Sequence, residues 1–317
     1  MEKAAQGTTG AYTVEVGGNE AGQRLDNFLI NRLKGAPRSL VYRIVRRGEV
    51  RVNKGRIRPD YRLVAGDQVR IPPLRLAERE APVRPGDRVL ALIEASILHE
   101  DERVLVLNKP SGIAVHGGSG LDWGVIEALR ALRPGQSLEL VHRLDRETSG
   151  CLMVAKRRSA LRTLHELLRG GGVEKRYHAL LRGVWQGGER RVVAPLLKNT
   201  LRSGERMVRV DEAGKPAESR IRSLQSLQGA TLAEIRLVTG RTHQARVHCA
   251  HIGMPIAGDA KYGDEAFNAQ LREQGLNRLF LHARSLRLRW PEGGELAVEA
   301  PLDKALLAVV RRLGGQP

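Results

Sequence analysis

From Tyr12 to Pro73 apolar positions recur regularly, whereas residues 1 to 11 are small and polar without any period and read as a disordered tail. Leu25, Phe28, Leu29 and Leu33 fall at helical spacing, and so do Leu40, Ile44 and Val45 beyond the break at Gly35 and Pro37. Each set forms one apolar stripe and predicts a short helix, the second starting near Ser39 and ending at Gly48. Val50-Arg51-Val52 then alternates into a turn at Asn53-Lys54-Gly55, and Gly66-Asp67 introduces a strand from Gln68 to Ile71. Residues 12–73 thus read as one small module.

Residues 74–87 (LRLAEREAPVRPGD) are rich in proline and charge, have no hydrophobic period and read as an interdomain linker. Residues 88–317 form the larger domain. Strands are predicted at Val104 to Leu107, Leu152 to Ala155, Tyr177 to Val184, Arg220 to Leu224 and Thr231 to Leu237. Helices are predicted at Trp123 to Leu132, Ser159 to Leu168, Thr242 to Ile252 and Leu302 to Leu313. Because strands and helices do not alternate regularly, the expected class is α+β, with a mixed, largely antiparallel sheet.

The 317 residues, 41% of them hydrophobic, are enough for two packed domains. Charge narrows the partners. Lys and Arg number 53 against 35 Asp and Glu, a net charge of +18 that favours a polyanion. No apolar run approaches the roughly 20 residues of a membrane span, and the start MEKAAQGTTGAY lacks the apolar core of an export signal, so a cytoplasmic protein is expected. Cys151 and Cys249 are too few for a disulfide framework and lack zinc-site spacing. With 3% aromatic residues, an extended base-stacking platform is not expected, and recognition leans on charge and shape.

Candidate chemistry is concentrated in four segments. HRLDRETSG at 142–150 runs straight into the apolar Cys151 to Ala155, which holds its polar cluster against the core. GRTHQARVH at 240–248 opens a helix, with Thr242 in the expected cap position and Arg241, Gln244 and Arg246 flanking the first turn. His243, His248 and His251 stand at offsets of five and three, which is not the i, i+4 pairing of zinc helices, and no metal is expected. KRYHALL at 175–181 is a strand entrance, and NKPSGIAVH at 108–116 a strand end and turn.

Together these four segments resemble the ribosomal large-subunit pseudouridine synthases. HGGSG, SALRTLHELLR, APLLKNTLRSGERMVRV, GKPAESR and GLNRLFLHA resemble one branch of that family. Ala245 departs from it, since a larger aliphatic is usual there. The N-terminal order, from Arg24-Leu25-Asp26 through Arg38-Ser39 and Gly48-Glu49-Val50-Arg51-Val52-Asn53 to Gly66-Asp67-Gln68-Val69, resembles the RNA-binding domain named after small-subunit ribosomal protein four. Between Arg32 and Arg58 that module holds ten Lys or Arg and one acid, Glu49. The resemblance implies phosphate contacts from its second helix and hairpin, through Arg38, Ser39, Arg43, Arg46, Arg47 and Lys54.

For the larger domain the resemblance implies that Asp145 is the catalytic carboxylate, Tyr177 lies against the target base and Arg246 partners Asp145. It assigns Arg143 as a wedge filling the space of an extruded uridine, with His142, Arg241 and Gln244 as further RNA contacts. The implied reaction detaches uracil, turns it and rejoins it through carbon five, which is redox-neutral and needs no cofactor. The carboxylate either attacks the anomeric carbon or removes the neighbouring ribose proton to give a glycal, and both routes require it ionised. Since a stacked uridine is inaccessible, the base is expected to be flipped out. The expected substrate is 23S ribosomal RNA, modified at several positions by a monomer. A noncatalytic RNA clamp would share the charge but has no need of the Asp145, Tyr177 and Arg246 set. A metal-dependent nuclease needs clustered carboxylates, which these segments lack.

Overall fold

The two N-terminal apolar stripes fold as α1 (Leu25–Arg32) and α2 (Arg38–Arg46). The computed structural model describes residues 10–316 except 19, 34–35, 75–83, 119–120 and 201–205, together with the backbone but not the side chains of 200 and 206. Most of the expected tail and linker therefore lies outside the described residues. The chain divides into two units, Met1–Pro82 and Val83–Pro317.

In the first unit Phe28, Leu29, Val41, Ile44 and Val45 share one core with Val52, Val69 and Ile71 of a small antiparallel sheet. Its strands β1 (Tyr12–Glu15), β2 (Arg51–Val52), β3 (Gly55–Arg56) and β4 (Gln68–Ile71) pair in the order β1-β4-β2-β3. Buried Asp26 ties the helices together, accepting from Arg24 Nη2 at 2.7 Å and Tyr42 Oη at 2.9 Å. The Arg24 guanidinium holds its carboxyl below the usual range. Asn53 and Lys54 have φ of 49° and 67°, the pair of left-handed residues that a two-residue primed turn requires, so Lys54 stands exposed at the hairpin tip.

The second unit opens with α3 (Asp87–Ala95), β5 (Ile97–Glu100), β6 (Val104–Lys109), α4 (Val125–Leu132), β7 (Glu139–Leu140), β8 (Ser149–Ala155) and α5 (Arg158–Arg169). It continues through β9 (Val173–Arg182), β10 (Arg190–Val193), β11 (Leu196–Thr200), β12 (Arg206–Val210), β13 (Glu218–Leu227) and β14 (Ala230–Leu237). The remaining elements are α6 (Gln244–His251), α7 (Glu265–Glu273), β15 (Leu281–Arg289), β16 (Glu295–Glu299) and α8 (Lys304–Arg312). One large sheet runs β10-β13-β14-β9-β15-β8-β6-β5, with β16 beside β15 and β7 beside β8. All its pairings are antiparallel except β8 with β15, so the sheet is mixed and largely antiparallel as expected.

Alternation along β9 separates two layers. Tyr177, Ala179 and Leu181 enter the core shared with α3 to α6, while Leu180 joins Phe267, Leu271, Leu306 and Val309 of α7 and α8. Gly150 lies where β8 first meets β15, opposite Ala283, with φ of 105°. A Cβ there would fall 2.3 Å from the Ala283 carbonyl oxygen, so only glycine lets the strand after the Asp145 loop approach so closely. Among the described residues no helix is long and apolar enough to cross a membrane.

The structure departs from the sequence expectations at several elements, α3 and β15 among them. Asp87, read as the end of the linker, opens α3, whose buried residues are only Leu90 and Ile93 and print too short a period to see. Strand β15 was not anticipated, because Arg284, Arg287 and Arg289 mask the inward Leu281, Leu286 and Leu288.

Candidate active site

Asp145 stands on the loop between β7 and β8, and this loop is fastened to the turn after β6. Lys109, fully buried, donates from Nζ to the carbonyls of Pro110 and Ile113 at 2.8 Å and of Arg146 at 3.0 Å. The Gly112 amide donates to the Arg146 carbonyl at 2.9 Å, Arg146 Nε returns to the Gly112 carbonyl at 2.8 Å, and Ser111 Oγ donates to the Glu147 carbonyl at 2.7 Å. The NKPSG turn is thus the brace of the HRLDR loop. Behind it, Ser149 Oγ lies 2.8 Å from His282 Nδ1 and accepts from Arg278 at 2.6 Å.

Burial, reinforced by Arg278, draws the Lys109 amine down to about 7 from 10.5. A lysine with a depressed folded value releases its proton on folding, so its contribution to stability is complete above about pH 10.5 and is lost as pH falls through about 7. Lys109→Met leaves the Pro110 and Ile113 carbonyls without this donor, while the Arg146 carbonyl keeps the Gly112 amide. The substitution is expected to lower unfolding free energy by on the order of 2 kcal/mol at pH 9 and by less at pH 6, measured by urea titration. An equal loss at both pH values would contradict this assignment.

Asp145 faces a cleft of about 730 Å³ whose walls include Arg143, Lys175, Tyr177, Arg246 and Leu281. Its carboxylate is about one-third exposed, with Oδ2 3.5 Å from Arg246 Nη1 and Oδ1 3.8 Å from His243 Nε2. Burial keeps the His243 imidazole below its usual range, so that second approach is not a full ion pair near neutral pH. Tyr177 reaches the cleft from the middle of β9. Burial, then the Asp145 charge, push its phenol above its ordinary value, which keeps it protonated and makes it a poor proton acceptor.

Arg246 has a stronger partner than Asp145. Its Nε and Nη2 donate to the two oxygens of Asp259 at 2.8 and 2.7 Å, and its guanidinium lies 5.0 Å from the Tyr262 ring centroid. Burial works against the charge on Arg246, but Asp259 and then Asp145 outweigh it and raise the group above its ordinary value. Asp259 and Tyr262 lie in GDAKYG at 258–263, a segment outside the four that sequence reasoning singles out. A carboxylate in a glycine-flanked turn was the available signal, and only tertiary contact connects it with Arg246.

The helix-opening segment needs two corrections. Thr242 does not cap α6, since the cap position is taken by His243 in the left-handed conformation at φ 54°. Gln244, expected as an RNA contact, is tied into the protein itself. It is buried, with Oε1 accepting from Thr239 Oγ at 2.7 Å and from the Arg241 amide at 3.0 Å, while Nε2 donates to the Glu218 carbonyl at 2.8 Å and Ser219 Oγ at 3.0 Å. With its hydrogen-bonding groups in use, it shapes the turn that presents Arg241 before α6.

Arg143 and Arg241 are exposed at the cleft, and Arg241 Nε donates to the Pro216 carbonyl at 3.0 Å. His142 is partly exposed, accepts from the Met153 amide at 3.0 Å and is drawn down to about 4 by burial, so it offers a ring edge and not a cation. Ala245 is buried against the main core and also borders the cleft. In the other unit Arg38, Ser39, Arg43, Arg46, Arg47 and Lys54 are all exposed. Among the described residues no His, Cys, Asp and Glu group has the arrangement of a metal site, and His248 is spent on Ser219 and the Ala194 carbonyl.

A family model described as RNA pseudouridylate synthase matches residues 103–251, and an S4 domain model matches residues 23–69. Ribosomal large subunit pseudouridine synthase C of Escherichia coli strain K12 is 57% identical over 311 residues, which is 96% of this chain and 98% of that protein. The protein of the same name from Haemophilus influenzae is 58% identical, over 93% of this chain and 92% of its own. Among solved structures, Human RNA Pseudouridylate Synthase Domain Containing 4 is 29% identical with a TM-score of 0.60, covering 72% of this chain and 96% of that one. Human RNA Pseudouridylate Synthase Domain Containing 1 is 27% identical with a TM-score of 0.57, over 74% and 99%.

Proposed function

Because the chain belongs to the RNA pseudouridylate synthase family, in the branch of ribosomal large-subunit synthase C, we propose that it converts uridines of 23S ribosomal RNA to pseudouridine with Asp145 as the reacting carboxylate. The observation that carries this reading is the meeting, in one cleft, of Asp145, the guanidinium of Arg246 and the face of Tyr177. These groups come from three distant segments. A noncatalytic clamp gives no reason for the convergence.

In this reading Asp145 acts on the ribose of a flipped uridine, either at the anomeric carbon or by taking the neighbouring proton. Arg246 fixes the direction of the carboxylate. Tyr177 supplies a buried face for the base. Its raised phenol argues against a role as the base that removes the carbon-five proton. Arg143, exposed at the cleft, is suited to occupy the stack vacated by the uridine. The enzyme works as a cytoplasmic monomer, and the residues assigned here require no cofactor.

The reaction exchanges the hydrogen at carbon five for a glycosidic bond, so a 23S transcript labelled there with tritium should release label to water when the protein is added. Absence of release from folded protein on ribosome-derived and transcribed RNA alike would refute the reading.

The S4 module is assigned phosphate contacts along α2 and the β2–β3 hairpin. Replacing Arg43, Arg46 and Arg47 together by Gln removes three exposed charges. It should flatten the slope of log affinity against log salt by about 2 to 3, from roughly 0.7 to 0.9 per phosphate contact. Affinity should fall most at low salt, while the rate at saturating RNA stays within about threefold. An unchanged slope would place these arginines away from the RNA.

A further inference from the structure

One guanidinium serves two carboxylates unequally. Arg246 gives a bidentate pair to Asp259 and leaves only Nη1 towards Asp145, at 3.5 Å. That distance exceeds the roughly 2.7–2.9 Å of a charge-assisted hydrogen bond. Asp259 cannot meet RNA itself, because its side chain is 1% exposed. Besides Arg246 it accepts the amides of Lys261 at 2.9 Å and Tyr262 at 3.0 Å, so its two oxygens receive four donors. Burial opposes its charge, and Arg246 outweighs burial to hold the carboxyl below the usual range.

The other side of Arg246 is also fixed. The Tyr262 ring lies against the guanidinium, and its hydroxyl bonds His243 Nδ1 at 2.8 Å and accepts from the Val208 amide at 3.0 Å. The arginine is therefore gripped from behind by a carboxylate and from the side by an aromatic ring. If the grip were absent, a mobile guanidinium so close to Asp145 would favour the usual bidentate pair with it. Such a pair would occupy both of its oxygens and lower the basicity that either route requires.

We propose that Asp259 is a positioning residue for the isomerisation: it holds Arg246 short of full pairing with Asp145, so that Asp145 keeps one unclaimed oxygen for the ribose. This rests on Asp145 being the reacting carboxylate.

The test compares single-turnover rates and RNA dissociation constants for wild type, Asp259→Asn, Arg246→Ala, the double variant and Asp145→Asn on a tritiated 23S fragment. Asp259→Asn is expected to lose at least 30-fold in rate with its dissociation constant within threefold of wild type. In the Arg246→Ala background the same change should cost less than threefold, because nothing remains for Asp259 to position. A wild-type rate in Asp259→Asn, a parallel loss of binding, or a further large loss in the double variant would overturn the proposal. Should Asp259→Asn fail to fold, Arg246→Ala against the double variant decides alone, since removing both members of a buried pair is milder than removing one. An active Asp145→Asn would instead overturn the premise and leave the grip on Arg246 without its assigned purpose.

Discussion

Asp145→Asn is expected to fold, to bind 23S RNA within about threefold of wild type, and to release no detectable tritium from carbon five. The substitution keeps shape and size while removing the charge that both routes need, and the loop beneath it is held by Lys109, Ser111 and Gly112 through backbone carbonyls that the change leaves alone. The rate should fall by a factor of 1,000 or more, about 4 kcal/mol of transition-state stabilisation. A variant retaining a tenth of the single-turnover rate would have lost only about 1.4 kcal/mol, too little for the reacting group.

Arg246→Ala is expected to lose about 100-fold in rate and, unlike Asp145→Asn, to lose stability as well. Its side chain is 11% exposed and neutralises Asp259, which is 1% exposed, so truncation leaves a buried carboxylate with only two backbone amides. Breaking such a pair costs about 3 to 5 kcal/mol. Urea titration should show that loss, and tritium release measured well below the midpoint should show the catalytic one. Arg246→Lys should recover little of either, because an ammonium cannot reproduce the planar two-point contact with Asp259 while a third nitrogen faces Asp145. A stable, slow Arg246→Ala would mean that Asp259 finds another partner.

The difference between these two variants reflects how much could be read along the chain. The place of Asp145 was legible because its loop enters an apolar strand, whereas its assignment as the reacting group came from the family resemblance. Arg246 was legible as a residue, but its main partner was not, because Asp259 lies 13 positions on in a loop without any period. The Asp145–Arg246 relation was expected as a direct pair and is a looser contact with the arginine held from the other side. Gln244 illustrates the converse: a polar residue beside a cleft reads as a ligand contact until tertiary packing fills all its hydrogen bonds. In the fold, β6, β8, β9 and β14 were visible as apolar or alternating runs. Strand β15, at the centre of the sheet, was hidden because its outward positions carry three arginines that dominate local hydropathy. The stripes of α1 and α2 were visible because a small module buries a single face of each helix.

The claim that Asp145 of this protein makes pseudouridine in large-subunit RNA is tested most directly by one map. Pseudouridines in 23S RNA are compared among cells lacking the gene, cells given back the wild-type chain and cells given Asp145→Asn at equal abundance. The account predicts a small set of uridines that lose the modification with the gene, regain it with wild type and stay unmodified with Asp145→Asn. Restoration by Asp145→Asn, or a map unchanged by loss of the gene, would contradict it.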